Sequence, residues 1–344
     1  MDFIFDMKDQ ANLSQTLTWF LSKKSLHLDD EGDWVVDMVA KTITHSYRSL
    51  QKSHLEVELA YIDIDLIGQY SLSGDADYLQ PVRDLQTFIT SDLQEHVVDF
   101  LVHGSLATGD YVKGWSDFDT FVIIKSDTIS DFVKLIEFRK KIIEAQDYLL
   151  DLDPLQHHGF IYCTEYDLEQ YFSHCMPIAV LRESKSLLKS STLAVQYNRS
   201  QDSPKKLFES KLNMFKQAYE NGTLIHHQYE GKYLQEDFAD IDTMYQMKYF
   251  LAVLMSLPIL YLDALDTSCY KKYSFDLVKR DFELEWEIMD KASNIRSRWE
   301  LNEVHPFIGN EIPVWLQREL GSSYFKRAYT LADAMFKELE LALT

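Results

Sequence analysis

Residues Phe100 to Ile124 constrain this chain more than any other stretch. They read Phe100-Leu-Val-His-Gly104-Ser105, then eleven residues, then Asp117-Phe118-Asp119 and the run Thr120 to Ile124. An apolar segment ending in Gly-Ser, and a second one opened by Asp-x-Asp, predict two strands with a short helix between them. On a strand, residues two apart face the same way. Asp117 and Asp119 therefore project side by side, with Phe118 turned into the core. Two such carboxylates repel unless a cation neutralises them. They suit Mg²⁺, a hard ion that takes oxygen ligands and leaves room for substrate phosphates. Gly104 lets the backbone approach a phosphate closely, and a helix starting just after it presents free N–H groups. A second Asp-x-Asp, Tyr61-Ile-Asp63-Ile-Asp65-Leu66, has no Gly-Ser upstream and reads as a solvated helix face or turn.

The first arrangement resembles the nucleotidyltransferase superfamily that includes DNA polymerase beta. Its signature is an apolar residue, Gly-Ser or Gly-Gly, about nine to thirteen residues, then Asp-x-Asp or Asp-x-Glu between apolar residues. Gly104, Ser105, Asp117 and Asp119 match it. The pairs Gly109-Asp110 and Ser116-Asp117 look most like two branches, the small-molecule (aminoglycoside-type) enzymes and the toxin–antitoxin members. The resemblance implies an α+β fold: a nucleotidyltransferase palm, a small mixed sheet with helices on one side. It implies an NTP substrate, with ATP favoured, and two Mg²⁺ ions held by Asp117 and Asp119. Ser105 and the backbone around Gly104 would meet the β- or γ-phosphate, with Ser116 or Lys113 as a further contact. The implied reaction moves an NMP, AMP before the others, to an acceptor hydroxyl and releases pyrophosphate.

Relatives usually carry a third carboxylate on the next core strand. Here that region reads Asp151-Leu-Asp153-Pro-Leu-Gln-His157-His158-Gly159. Asp153 and His158 are equal candidates for the general base. A neutral imidazole is a usable base and a poorer Mg²⁺ ligand. In relatives a Lys from a helical domain often reaches the triphosphate. Lys271 and Lys272, in Tyr270-Lys-Lys-Tyr-Ser274, are the candidates here, with Arg182 and Lys185 behind them. His226-His227 lacks the spacing of a zinc site.

Charge narrows the substrate. The formal net charge is −21, from 34 basic and 55 acidic residues in 344. No basic face is evident, which disfavours a long nucleic acid. A small molecule, a cationic one included, or a partner protein fits as acceptor. Cys163, Cys175 and Cys269 form no metal or redox spacing and read as reduced thiols of a cytoplasmic protein. The acidic start Met1-Asp-Phe-Ile-Phe-Asp6 does not look like a signal peptide. The longest apolar run, Tyr249 to Leu262, is short for a membrane span and contains Pro258, so it predicts a buried helix with a break. A homodimer is expected on base rates alone.

Periodicity divides the chain at about 95 and 185. Residues 1–95 read as helical, with Ser46 to Tyr70 continuing as a long helix. Residues 96–185 alternate strand and helix as the catalytic core. Residues 186–344 read as a helical bundle, with Leu207–Glu220 amphipathic, Thr243–Leu262 buried, Phe275–Trp299 long and charged, and Ser322–Leu343 last. Two other roles share these features. The chain could be the nucleotidyltransferase half of a toxin–antitoxin or phage-defence pair, or a non-catalytic nucleotide-binding module whose one support is the missing third carboxylate.

Overall fold

The structure is a computed structural model that describes residues 10–22, 33–50, 58–68, 79–113, 115–152, 159–172, 176–198, 202–221, 224–227, 235–238, 244–267, 269–299, 312–321 and 323–343. Helices α1 (Gln10–Ser22) and α2 (Asp33–Ser49) precede β1 (Glu58–Leu66). Helix α3 (Gln80–Phe88) runs through a π turn, Ile89–Leu93, towards β2 (Val97–Val102). The short α4 (Gly104–Thr108) leads to β3 (Thr120–Ile124), α5 (Ser126–Ile129), α6 (Phe132–Ala145), α7 (Asp147–Leu152) and β4 (Ile161–Thr164). Then come α8 (Glu165–Leu168), β5 (Tyr171–Phe172), α9 (Ile178–Glu183), β6 (Lys185–Ser186) and β7 (Ser191–Asn198). After α10 (Asp202–Asn221) and the antiparallel pair β8 (Leu224–His227) and β9 (Gln235–Phe238), the described elements are helices. These are α11 (Met244–Leu254), α12 (Leu257–Ala264), α13 (Lys271–Val278), α14 (Glu287–Arg298), α15 (Val314–Leu320) and α16 (Tyr324–Ala342).

Seven strands form one mixed sheet in the order β4-β3-β2-β6-β1-β7-β5. β2 and β3 are antiparallel, with Val102 opposite Thr120 and Leu101 opposite Phe121. β4 runs parallel to β3. Alternation sorts the side chains: Phe100, Val102, Val122, Ile124 and Tyr162 pack on α1, α2, α3 and α6 through Leu17, Ile43, Leu85 and Phe138. On the other face Leu101, Phe121, Ile123 and Cys163 pack on Leu168, Met176, Ile178 and Leu181 from the α8–α9 stretch. The longer helices thus cover one side of the palm. All of β3 is buried, and each of its large apolar side chains contributes roughly 1.5–3 kcal/mol. Asp131 caps α6 by accepting from the Val133 and Lys134 N–H groups at 2.8 and 3.2 Å, which fixes where that helix starts.

Two expectations change here. Ser46 to Tyr70 is not a long helix, because residues 58–66 form β1 inside the sheet. Ala60, Ile62 and Ile64 turn inwards while Tyr61, Asp63 and Asp65 turn out, a period of two that only a strand satisfies. The second Asp-x-Asp is therefore solvated, as expected, but on a strand. Thr192 Oγ1 donates to Asp63 Oδ1 at 2.7 Å, and Lys185 Nζ to Asp65 Oδ2 at 2.9 Å. Phe275 to Trp299 is likewise not one helix. A 3₁₀ turn at Lys279–Phe282 separates α13 from α14, so that Phe282 and Trp286 both enter the core while Leu284 stays 93% exposed.

The break expected around Pro258 is present: α11 ends at Leu254 and α12 begins at Leu257. Pro258 lies in the first turn of α12, where its missing N–H leaves no broken bond. Among the described residues Met247–Ala264 is the segment long and apolar enough to cross a membrane, and 83% of it is buried inside the protein. It is the centre of the second core, which α10 to α16 build. Trp115, from the loop between the two motif halves, belongs to that core rather than to the sheet's.

Candidate active site

Gly104, the first residue of α4, takes φ +67°, a conformation that glycine adopts without strain. A Cβ there would lie 2.1 Å from Asp119 Oδ2. The close approach that this glycine permits is thus first of all that of the Asp119 carboxylate. The His103 N–H donates to the Asp119 carbonyl at 3.0 Å, so the sheet ladder itself fixes Asp119 over the Gly-Ser turn. Phe118 is fully buried in the core beneath the helices, and Asp117 and Asp119 face the other way into a cleft of about 310 Å³.

The cleft collects Gly104, Ser105, Ser116, Asp117, Asp119, Lys271 and Lys272 from the sequence expectations. Asp153 and His158 lie outside the described residues. Arg182 is exposed, Lys185 is engaged with Asp65, and neither lines the cleft, nor does Lys113. Asp99 sits on the catalytic strand but is no candidate: it is fully buried and its oxygens are committed. Ser186 Oγ and the Phe100 N–H donate to Oδ1 at 2.5 and 2.8 Å, and Ser191 Oγ to Oδ2 at 3.1 Å. Burial raises its pKa against those hydrogen bonds.

Sequence reasoning missed the residues that close the cleft. Lys248, from α11, reaches Asp117 Oδ1 at 2.5 Å. Arg296, from α14, donates to the Asp110 carbonyl and to Asp110 Oδ2, the latter at 3.2 Å. Asp110 also accepts from Thr108 Oγ1 and faces Lys272 at 3.9 Å. The loop from Gly109 to Ser116 is thereby tied to the helical part. Ser116 Oγ accepts from the Val112 N–H at 2.9 Å, which gives Ser116 a structural task within that loop. Trp115 anchors it, ring to ring with Trp299 at 5.3 Å. One signal for Lys248 was in the sequence: it is the only charge in α11, and a lysine on a buried apolar helix needs a partner.

Burial lowers the Lys271 pKa, with Arg296 in the same sense and Asp119, Asp117 and Asp110 opposing. Burial raises the Tyr270 hydroxyl; its hydrogen bond with Thr108 opposes this, and the charge of Asp119 adds to it. Trp115, Ala252, Met255 and Phe275 give the cleft an apolar wall.

The donor chemistry fits a divalent cation. Asp117 and Asp119 offer hard oxygen ligands from neighbouring positions, and the Lys248 ammonium stands against Asp117 as an internal cation. Among the described residues no cluster of three His, Cys, Asp or Glu side chains converges. Among the described residues, Asp117 and Asp119 are the carboxylates that would hold such a cation.

Residues 83–183 match the family model described as a nucleotidyltransferase domain. The match runs from α3 through Gly104-Ser105 and Asp117-x-Asp119 to the end of α9, so this segment is a domain of the nucleotidyltransferase superfamily. Its mixed sheet with packed helices is the α+β palm that the motif implied. No curated protein and no solved structure matches the chain.

Proposed function

We propose that the protein transfers a nucleoside monophosphate from an NTP, ATP before the others, to a hydroxyl of a small molecule or a partner protein. The observation that carries this is the meeting of two kinds of charge in one cleft. Asp117 and Asp119 stand on the palm, and Lys248, Lys271, Lys272 and Arg296 come from the helices. A triphosphate with its cation is a ligand that needs both. Mg²⁺ bound by Asp117 and Asp119 would supply charge neutralisation at the α-phosphate and at the departing pyrophosphate.

The chain's own residues do the rest. Lys271 and Lys272 offer ammonium groups to the phosphates, and an incoming phosphate returns to Lys271 the anionic surroundings that burial denies it. Ser105 donates its hydroxyl at the Gly-Ser turn. Trp115, Met255 and Phe275 give the base an apolar wall and exclude water from that side. The acceptor oxygen forms a bond to the α-phosphorus as the bond from that phosphorus to the β-bridging oxygen breaks. The electron pair leaves with pyrophosphate, and the acceptor's proton goes to a base, for which Asp153 and His158 are the sequence candidates. An acidic chain with no basic face suits a small or protein acceptor better than a long nucleic acid.

The test is transfer of label from each α-³²P-NTP with Mg²⁺, with and without cell extract, by wild type and Asp117→Ala/Asp119→Ala. Label should move to a small molecule or protein with wild type, and fall by at least about 10³-fold in the double variant. Nucleotide binding without any transfer would replace this reading by that of a non-catalytic nucleotide-binding module.

A further inference from the structure

Lys248 enters the cleft from inside the apolar core of the helices. Its side chain is 4% exposed, that of Asp117 is 15% exposed, and the two meet at 2.5 Å. An ammonium this buried loses its hydration and is tolerated where a carboxylate compensates it. Its partner is one of the two carboxylates that the proposed function assigns to a divalent cation. Ammonium and metal ion therefore claim the same carboxylate. Two cations at contact distance in a poorly hydrated site repel strongly, so one must leave when the other arrives. Lys248 also lines the cleft beside Lys271 and Arg296, where entering phosphates would offer it a second anion.

We propose that Lys248 is an exchangeable counter-ion that makes metal binding at Asp117 conditional on the nucleotide. Without nucleotide, the ammonium neutralises Asp117 and the site takes up free metal weakly. With nucleotide, the ammonium passes to phosphate oxygen and Asp117 is released to the metal. That exchange replaces one ion pair by another, whereas displacement by metal alone takes the Asp117 carboxylate from a buried ammonium. Linkage makes the effect reciprocal: metal and nucleotide each tighten the other's binding by the same factor. The inference rests on the nucleotidyl-transfer reading of the site and adds to it an order of assembly.

The experiment is Mn²⁺ titration followed by electron paramagnetic resonance, with and without a non-hydrolysable ATP analogue. The proteins are wild type, Lys248→Met, Lys248→Gln and Asp117→Asn. Wild type should bind Mn²⁺ about tenfold or more tightly with the analogue than without. Lys248→Met and Lys248→Gln should bind Mn²⁺ alone at least about tenfold more tightly than wild type, and gain less from the analogue. Lys248→Met should melt lower than wild type in metal-free buffer and recover with Mn²⁺. Lys248→Gln keeps a donor for Asp117, and so a folded site, should the Met variant fail to fold. Unchanged or weaker Mn²⁺ binding in the Lys248 variants overturns the exchange. If Asp117→Asn still abolishes Mn²⁺ binding in that case, the functional reading stands without it. Mn²⁺ binding indifferent to Asp117→Asn in every state removes both.

Discussion

The two walls of the cleft are built in opposite ways. The acidic wall occupies sixteen residues, Gly104 to Asp119, and its shape follows from a strand register and one glycine turn. The cationic wall takes Lys248 from α11, Lys271 and Lys272 from α13 and Arg296 from α14, positions spread over about fifty residues of sequence. In the proposed function, the carboxylates that would hold an ion at fixed distances stand on short side chains at the head of a buried strand. The charges that would follow a substrate stand on long side chains whose heads can shift. Geometry sits in the sheet and adaptability in the helices, and the Gly109–Ser116 loop couples them through Asp110 and Trp115.

The sharpest way to break this division is Gly104→Ala. The new methyl would meet Asp119 Oδ2 at 2.1 Å and the backbone would stay at positive φ, so the carboxylate must move by more than about 1 Å. We expect turnover to fall by on the order of 10²-fold or more, with a stability loss of roughly 1–2 kcal/mol. Equilibrium binding of a fluorescent nucleotide should change far less, since the cationic wall is untouched. Equal losses in binding and turnover would mean that the walls do not act separately.

Arg296→Met tests the tie between the walls. It removes the hydrogen bonds to the Asp110 carbonyl and carboxylate, worth about 1–3 kcal/mol to the loop. Nucleotide affinity should weaken by about tenfold, and hydrogen exchange should speed up in residues 109–116 with β2 and β3 unaffected. Protection unchanged in that loop would assign Arg296 to the ligand alone.

A smaller and purely energetic contrast comes from Asp263, on α12 in the helical part. Burial raises its pKa from 3.8 to about 7. A carboxyl whose folded pKa lies above its unfolded value contributes its full stability below the unfolded pKa and loses it as pH rises through the folded one. The helical part should therefore weaken between about pH 4 and pH 7 on this account. Asp263→Asn should remove that slope and add on the order of 1–3 kcal/mol at pH 8, with no gain at pH 4. Urea unfolding of both proteins across that range reads it directly, and parallel slopes would contradict it.

Legibility followed the same line. Gly104, Ser105, Asp117 and Asp119 could be read because their geometry depends on neighbours in sequence; β2 and α4 fall where the motif put them, while β3 starts at Thr120, just after the Asp pair that was expected on it. Lys271 and Lys272 line the same cleft. Lys248 and Arg296 escaped, because a charged residue on a helix announces nothing about what it meets. Strand β1 escaped for another reason. Its alternating Ala60-Tyr-Ile-Asp-Ile-Asp-Leu66 was legible as a strand, but the helices before and after it suggested the wrong period.

By itself, the sequence determined the palm and its acidic pair. A buried strand forces alternate residues to opposite faces, and a turn at positive φ admits glycine with little strain. Only the tertiary structure decided which cations face that pair. Buried charges from distant helices find their partners through packing of two separate cores, and no local periodicity encodes that meeting.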